Sequence, residues 1–298
     1  MRERDRTEGR LERKFEAPDP VTAYCHRMHA PESFDDLVAE AQARPLVGWD
    51  FSWLGDRIST VPLAWDFEDI LLRHARRSPD MLDMGTGGGE FLAALPHRPS
   101  RTVATEAWPP NLDVAGAKLR PLGVTVVAVE AAPDNLNQEP NEQRGRLPFP
   151  SGSFALIANR HESFVASEVA RVLIPGGVFV TQQIGGDYGD FYDALELPRP
   201  QRRVLDLRLA RAQVEAAGLR FLDGAVGAEL KAFADVGAFA WYLKAIPSII
   251  EGFAISTHRE RLERLHARIQ EREPITVRLS AFWLEATKDS ANDQDHHS

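Results

Sequence analysis

Short apolar runs and stretches of helical period alternate along most of this chain. Met81 to Met84 reads as a buried strand with an acid, Asp83, near its end, and Phe91, Leu92 and Leu95 then begin a helix-period pattern. Arg101–Glu106 reads as a second strand and Asn111 to Leu122 as the next crossover helix. Val124–Glu130 carries no charge before its last residue, which predicts a strand buried on both faces of a parallel sheet. Leu147 to Asn159 enters a further strand, and Glu168 to Val180 reads as a helix, a Pro-Gly-Gly turn and a strand. Residues 185–200 read as a loop and Val204–Gly218 as a helix ending on glycine. Phe221–Phe233 reads as a strand with a turn at Asp223-Gly224, Asp235–Ile246 and Thr257–Gln270 as helices, and Val277–Thr287 as a last, alternating strand. Upstream, Phe34, Leu37, Val38 and Ala41 predict a helix, and the aromatic clusters Trp49–Trp53 and Trp65–Phe67 precede another with Ile70 and Leu71 on its face.

Composition changes this picture little. The 298 residues are 43% apolar and 27% charged, an ordinary globular balance with material for a sizeable core. The net charge of −9 gives no general basic face for nucleic acid. A single cysteine, Cys25, excludes a disulfide framework and a cysteine-built metal cluster. No apolar run is long enough to span a membrane, and the charged N-terminus lacks the apolar core of a secretory signal, so a cytoplasmic protein is expected, with no metal. Residues 1–18 and 289–298 read as disordered tails around a single domain, 19–288. Within it, 19–64 form an N-terminal cover, 65–184 a ligand-binding core and 185–288 a substrate-side half.

Strand, glycine turn and helix at Met81–Leu92 make the start of a nucleotide-binding α/β unit. A dinucleotide fingerprint, G-x-G-x-x-G, would need glycine at position 90, where Glu90 stands. This argues against a nicotinamide-dependent oxidoreductase. The pattern Asp83-x-Gly85-x-Gly87-x-Gly89 resembles instead motif I of the class I S-adenosylmethionine-dependent methyltransferases. Glu106, about 20 residues after the glycines at the end of the second strand, is where a parallel nucleotide site needs a carboxylate for ribose hydroxyls. Glu130-Ala131 resembles the family's Asp-Ala pair at the adenine. Leu147-Pro-Phe-Pro-Ser-Gly-Ser-Phe154 resembles its entry to the fourth strand, with Ala155 in place of the usual Asp and an unusually long polar segment, 132–146, before it, expected as an exposed loop. Glu168-Val-Ala-Arg-Val-Leu-Ile-Pro-Gly-Gly177 is similar to a further family segment in the correct order.

The resemblance, nearest to the type 11 group and its quinone-biosynthesis-like bacterial members, implies a Rossmann-like α/β fold. Seven strands would form a mixed sheet between helix layers, the last strand antiparallel, with N-terminal helices and a helical insertion before that strand. It implies S-adenosylmethionine as cofactor, held by Asp83, Gly85, Thr86, Gly87, Gly89, Glu106, Ala107, Glu130, Ala131 and Asn159, with Trp108 beside the adenine. The polar turn Asn159–Glu162 lies beyond a strand's carboxyl end, where such sheets bind ligands. His161 is its candidate base, while Arg160, Trp53 and Tyr242 are candidate substrate contacts. Methyl transfer to a small-molecule acceptor is the expected function. The alternatives are an RNA acceptor and a cofactor-binding protein without catalysis.

Overall fold

The computed structural model describes residues 33–138, 143–186, 188–201, 203–271 and 275–290. Both tails read from the sequence lie wholly or mostly outside these, as does Cys25. Eight strands form one sheet: β1 (Ile58–Val61), β2 (Asp80–Met84), β3 (Arg101–Glu106), β4 (Thr125–Ala128), β5 (Phe154–Arg160), β6 (Leu173–Ile184), β7 (Arg220–Phe233) and β8 (Ile275–Thr287). Their order is β1-β7-β8-β6-β5-β2-β3-β4. The ladders from β6 to β4 are parallel, while β8 runs antiparallel to both β6 and β7. The strand order reverses between β2 and β5, the place where open α/β sheets bind ligands.

The helices are α1 (Phe34–Ala43), α2 (Phe67–Ala75), α3 (Glu90–Ala94), α4 (Pro109–Leu119), α5 (Ala166–Val172), α6 (Gly189–Ala194), α7 (Leu207–Ala216), α8 (Val236–Ala245) and α9 (Arg259–Gln270). One sheet face buries Met81, Ala104, Leu156 and Val180 under α2 and α4; the other buries Leu82, Ile157 and Phe179 with α5 and α7. A third core joins α1, α8 and α9 to the far ends of β7 and β8 through Leu37, Phe233, Trp241, Leu262 and Val277. Side chains close the polar ends within it. Asp235 caps α8 by accepting from the Ala238 N–H (2.8 Å) and binds the Arg57 guanidinium through both oxygens at 2.7 Å. Lys244 Nζ and Trp241 Nε1 donate to carbonyls at the end of α1, including that of Arg44.

Five expectations are corrected. The sheet has eight strands rather than seven, because β1 adds antiparallel to β7. Within 124–130 the strand β4 is a sheet edge, with Val126 and Val127 only half-buried, because among the described residues no strand covers its outer side. No turn breaks β7 at Asp223-Gly224: Leu222 bulges, the ladder resumes at Asp223, and a Cβ on Gly224 would lie 2.7 Å from the Trp283 carbonyl oxygen. The loop 185–200 contains α6, whose Phe191 is fully buried. In the polar segment before Leu147, Asn135 is buried, donates to the Phe164 carbonyl (3.0 Å) and accepts from its N–H, so this part is pinned to the fold. The Glu-x-x-Arg pair acts nearby as a clamp. Glu168 accepts from the Leu147 N–H, and Arg171 donates to the Leu147 and Phe149 carbonyls.

Candidate functional site

The site begins where β2 ends. Gly85 and Gly87 have φ of +70° and +61°, which L side chains rarely adopt. There is also no room for a side chain. A Cβ on Gly85 would meet Glu162 Cγ at 2.3 Å, and one on Gly87 would meet the Trp49 ring at 2.2 Å. The loop is tied to β3 by Thr86 N–H donating to the Thr105 carbonyl (2.9 Å). Asp83 is buried behind it. Burial pushes its carboxyl up to about 6, opposed by the Thr86 hydroxyl and the Arg160 charge.

Glu106, 6% exposed, stands at the end of β3. One carboxylate oxygen, Oε1, accepts from the backbone N–H groups of Ala107 (2.9 Å) and Trp108 (2.7 Å). These bonds fix the carboxylate, and its second oxygen has no hydrogen-bond partner among the described residues. A cleft beside it is lined by Gly85, Ala107, Glu130, Ala131, Leu147 and Glu162, so the ends of β2, β3 and β4 and the turn after β5 converge on one groove. Trp108 is 63% exposed on the chain entering α4.

Beyond β5 a buried polar network forms. Asn159, fully buried, accepts through Oδ1 from Thr181 Oγ1 (2.8 Å) and Gln183 Nε2 (2.6 Å), and its own Nδ2 has no partner. Gln183 Nε2 also donates to the Glu162 carbonyl at 3.0 Å. The Arg160 guanidinium stacks over the Phe91 ring, 4.7 Å from its centre, with no carboxylate at ion-pair distance among the described residues. His161 has φ +59°, and its N–H donates to the Gln182 carbonyl (2.8 Å) while its Nε2 lies 3.1 Å from Gln182 Nε2. Surrounding protein and the charges of Arg160 and Lys231 hold the imidazole neutral, its pKa lowered to about 3. His161 is nonetheless an exposed residue. Glu162 behaves oppositely: burial and the Glu106 charge push its carboxyl up to about 7.

Among the proposed cofactor residues, Asp83 lies behind the glycine loop and Gly89 packs against Leu119 of α4, whereas Gly85, Ala107, Glu130 and Ala131 line the groove. The substrate candidates divide. Arg160 and His161 lie at its β5 side, whereas Tyr242 is buried in the third core, stacked on Phe191, and Trp53 packs against Trp241 under the Arg57 guanidinium. Trp49 and Glu162 touch the glycine loop most directly. Both belong to segments that sequence had marked, but no periodicity singles either out.

A resident nucleoside ligand fits the chemistry of these groups: a glycine loop without side chains, a carboxylate oxygen available to hydroxyls, and a buried donor on Asn159 with no partner among the described residues. A methyltransferase-domain family model matches residues 82–181, the segment that supplies β2 to β6 and the groove. No curated protein matches the chain in sequence. Among solved structures, the YcgJ protein of Bacillus subtilis is 18% identical with a TM-score of 0.52, over 76% of this chain and 99% of that one. A candidate methyltransferase from Bacillus halodurans C-125 is 17% identical with a TM-score of 0.49, over 75% and 99% respectively. The first likeness bears on the fold alone; the domain match bears on the chemistry. Among the described residues no helix is long and apolar enough to cross a membrane. A methyltransferase domain thus spans the glycine loop, Glu106 and the turn after β5, and it supports S-adenosylmethionine-dependent methyl transfer with S-adenosylmethionine as the cofactor.

Proposed function

We propose that the methyl acceptor is a small organic molecule bound between the turn Asn159–Glu162 and an aromatic roof. One observation carries this reading: the chain of rings that starts on the glycine loop. Trp49 packs on Gly87 and stacks with Phe51 (5.9 Å between ring centres), and Phe51 in turn contacts Trp241 and Tyr242 at 5.7 Å each. An apolar roof with a few convergent polar groups suits an acceptor small enough to be enclosed. Trp53 and Tyr242 act here by supporting the roof. This placement agrees with the quinone-biosynthesis-like resemblance and leaves the acceptor unnamed.

When bound, the cofactor supplies an electrophilic methyl on a sulfonium. Glu106 would hold the ribose through its uncommitted oxygen, and the backbone at Glu130-Ala131 would face the adenine, with Trp108 alongside. Asn159 Nδ2 would donate to the amino-acid end. Arg160, stacked but not ion-paired, would orient an acceptor carrying a carboxylate or carbonyl. His161, held neutral, is the candidate proton acceptor for the nucleophile, within a site whose main contribution is alignment.

Incubation with isotope-labelled cofactor and either a metabolite extract or total RNA tests the reading by mass spectrometry. A small product heavier by one CH₂ is expected. Label appearing only in RNA would overturn the small-molecule reading, and cofactor binding without transfer to any acceptor would favour the non-catalytic alternative.

A further inference from the structure

The Glu162 stem lies over Gly85, its Cβ and Cγ within 2.5 Å of where a Cβ on that glycine would stand, and the residue lines the same groove as Ala107 and Glu130. The cofactor is a linear molecule: adenine, ribose, sulfonium, amino-acid tail. With adenine beyond β4 and ribose on Glu106 beyond β3, the next strand in the order is β2. The sulfonium and tail would then lie at the Gly85 end of the groove, beside Glu162, whose stem packs directly on that glycine. This step rests on the cofactor placement proposed above.

We infer that Glu162 is a specificity-determining residue: its ionised carboxylate favours the sulfonium-bearing cofactor over the neutral-sulfur product, so that methyl transfer itself weakens the hold on what remains. The charged groups facing the groove explain why such a device can work. Glu106 stands on β3, Asp83 behind the loop on β2, and Glu130 beyond β4, while Arg160 and neutral His161 flank Glu162 on its own turn. Burial, with the Glu106 charge second, favours the protonated form of Glu162 in the free protein near neutrality. A fixed positive charge held beside Glu162 would favour its ionised form and release the proton to solvent. A thioether sulfur carries no charge and does not. The Gln183 bond to the Glu162 carbonyl ties the backbone of the turn to the Asn159–Thr181–Gln183 network.

Isothermal titration of the full chain with S-adenosylmethionine and with S-adenosylhomocysteine tests this. Titrations in phosphate and in Tris near pH 7 should show release of roughly half a proton with the first ligand and little with the second. Between about pH 6 and 8 the affinity for S-adenosylmethionine should rise roughly tenfold, following the ionised fraction, while that for S-adenosylhomocysteine stays within about twofold. Glu162→Gln should abolish both the proton release and the pH slope. Glu162→Asp, which keeps the charge on a shorter stem, should retain both at smaller amplitude and keeps the test open if the Gln variant fails to fold. Equal slopes for the two ligands, or a slope unchanged in Glu162→Gln, would overturn the inference while leaving the cofactor assignment intact. Failure of the wild-type chain to bind either ligand would overturn both.

Discussion

Replacing Glu106 by alanine and by glutamine separates two jobs that one side chain performs. Oε1 accepts from the Ala107 and Trp108 N–H groups, which is structural; the other oxygen is proposed to take ribose hydroxyls, which would be binding. Hydrogen bonds from neutral donors to a charged acceptor contribute about 1.5–3 kcal/mol, so Glu106→Ala should weaken S-adenosylhomocysteine binding by roughly one to two decades. The same substitution strands two backbone donors beside a buried position, at a cost of about 1–2 kcal/mol of fold stability. Glu106→Gln keeps a carbonyl for those donors but presents an NH₂ group in place of the free carboxylate oxygen. It should bind the ligand nearly as poorly as alanine yet melt close to wild type. Titration calorimetry and thermal melts read the two effects independently. A folded Glu106→Ala protein with an unchanged dissociation constant would show that the ribose is held elsewhere, and a Gln variant as unstable as the Ala variant would refute the structural half.

Gly87→Ala combines a positive φ with a Cβ inside the Trp49 ring contact, so cofactor affinity should fall more than about tenfold, and adding Trp49→Ala should restore part of it in titrations; no restoration would mean that backbone strain alone is responsible. Asp83 and Glu162 have folded-state pKa values of about 6 and about 7, above their ordinary values, so the free folded chain holds more protons than the unfolded one through that window. Stability is then greatest on the acid side of the window and declines as pH rises toward about 7, and Glu162→Gln should melt higher than wild type near pH 8; parallel melting curves at every pH would contradict this. Asp235→Ala removes both the α8 cap and the partner of Arg57, for an expected loss of about 2–4 kcal/mol by denaturant unfolding, whereas Asp235→Asn, which can still cap, should lose less.

The parallel half of the sheet was legible because each strand there is a compact apolar run followed by its own helix, as at Met81–Met84 and Arg101–Glu106. β1 was not. Ile58–Val61 is four residues long, half of it Ser and Thr, and its partner Leu230–Phe233 lies about 170 residues away, so nothing local marks it. The Asp223-Gly224 pair carries the chemistry of a tight turn, but the glycine is there for close approach to Trp283. In the site, the glycines and Glu106 could be read because their spacing along the chain reflects one β-α-β unit. Glu162 could not be ranked above His161, since the choice depends on the left-handed backbone at His161, which turns the chain so that the next residue overhangs Gly85.

β1 also bears on how ligands come and go. Its four residues pair with β7 from Ile58↔Phe233 to Val61↔Leu230, immediately after the Trp49–Trp53 segment and immediately before α8. Both ends of the proposed roof are thereby stitched into the sheet by main-chain bonds. A roof anchored in this way cannot swing out as a rigid lid without parting a ladder, an opening that belongs with the slow, sub-global motions of a fold. Exchange is left to smaller movements, above all rotation of the half-exposed Trp49 off Gly87, which belong to the faster side-chain and loop range. Turnover in this protein is therefore expected to be gated by a single ring and its short loop.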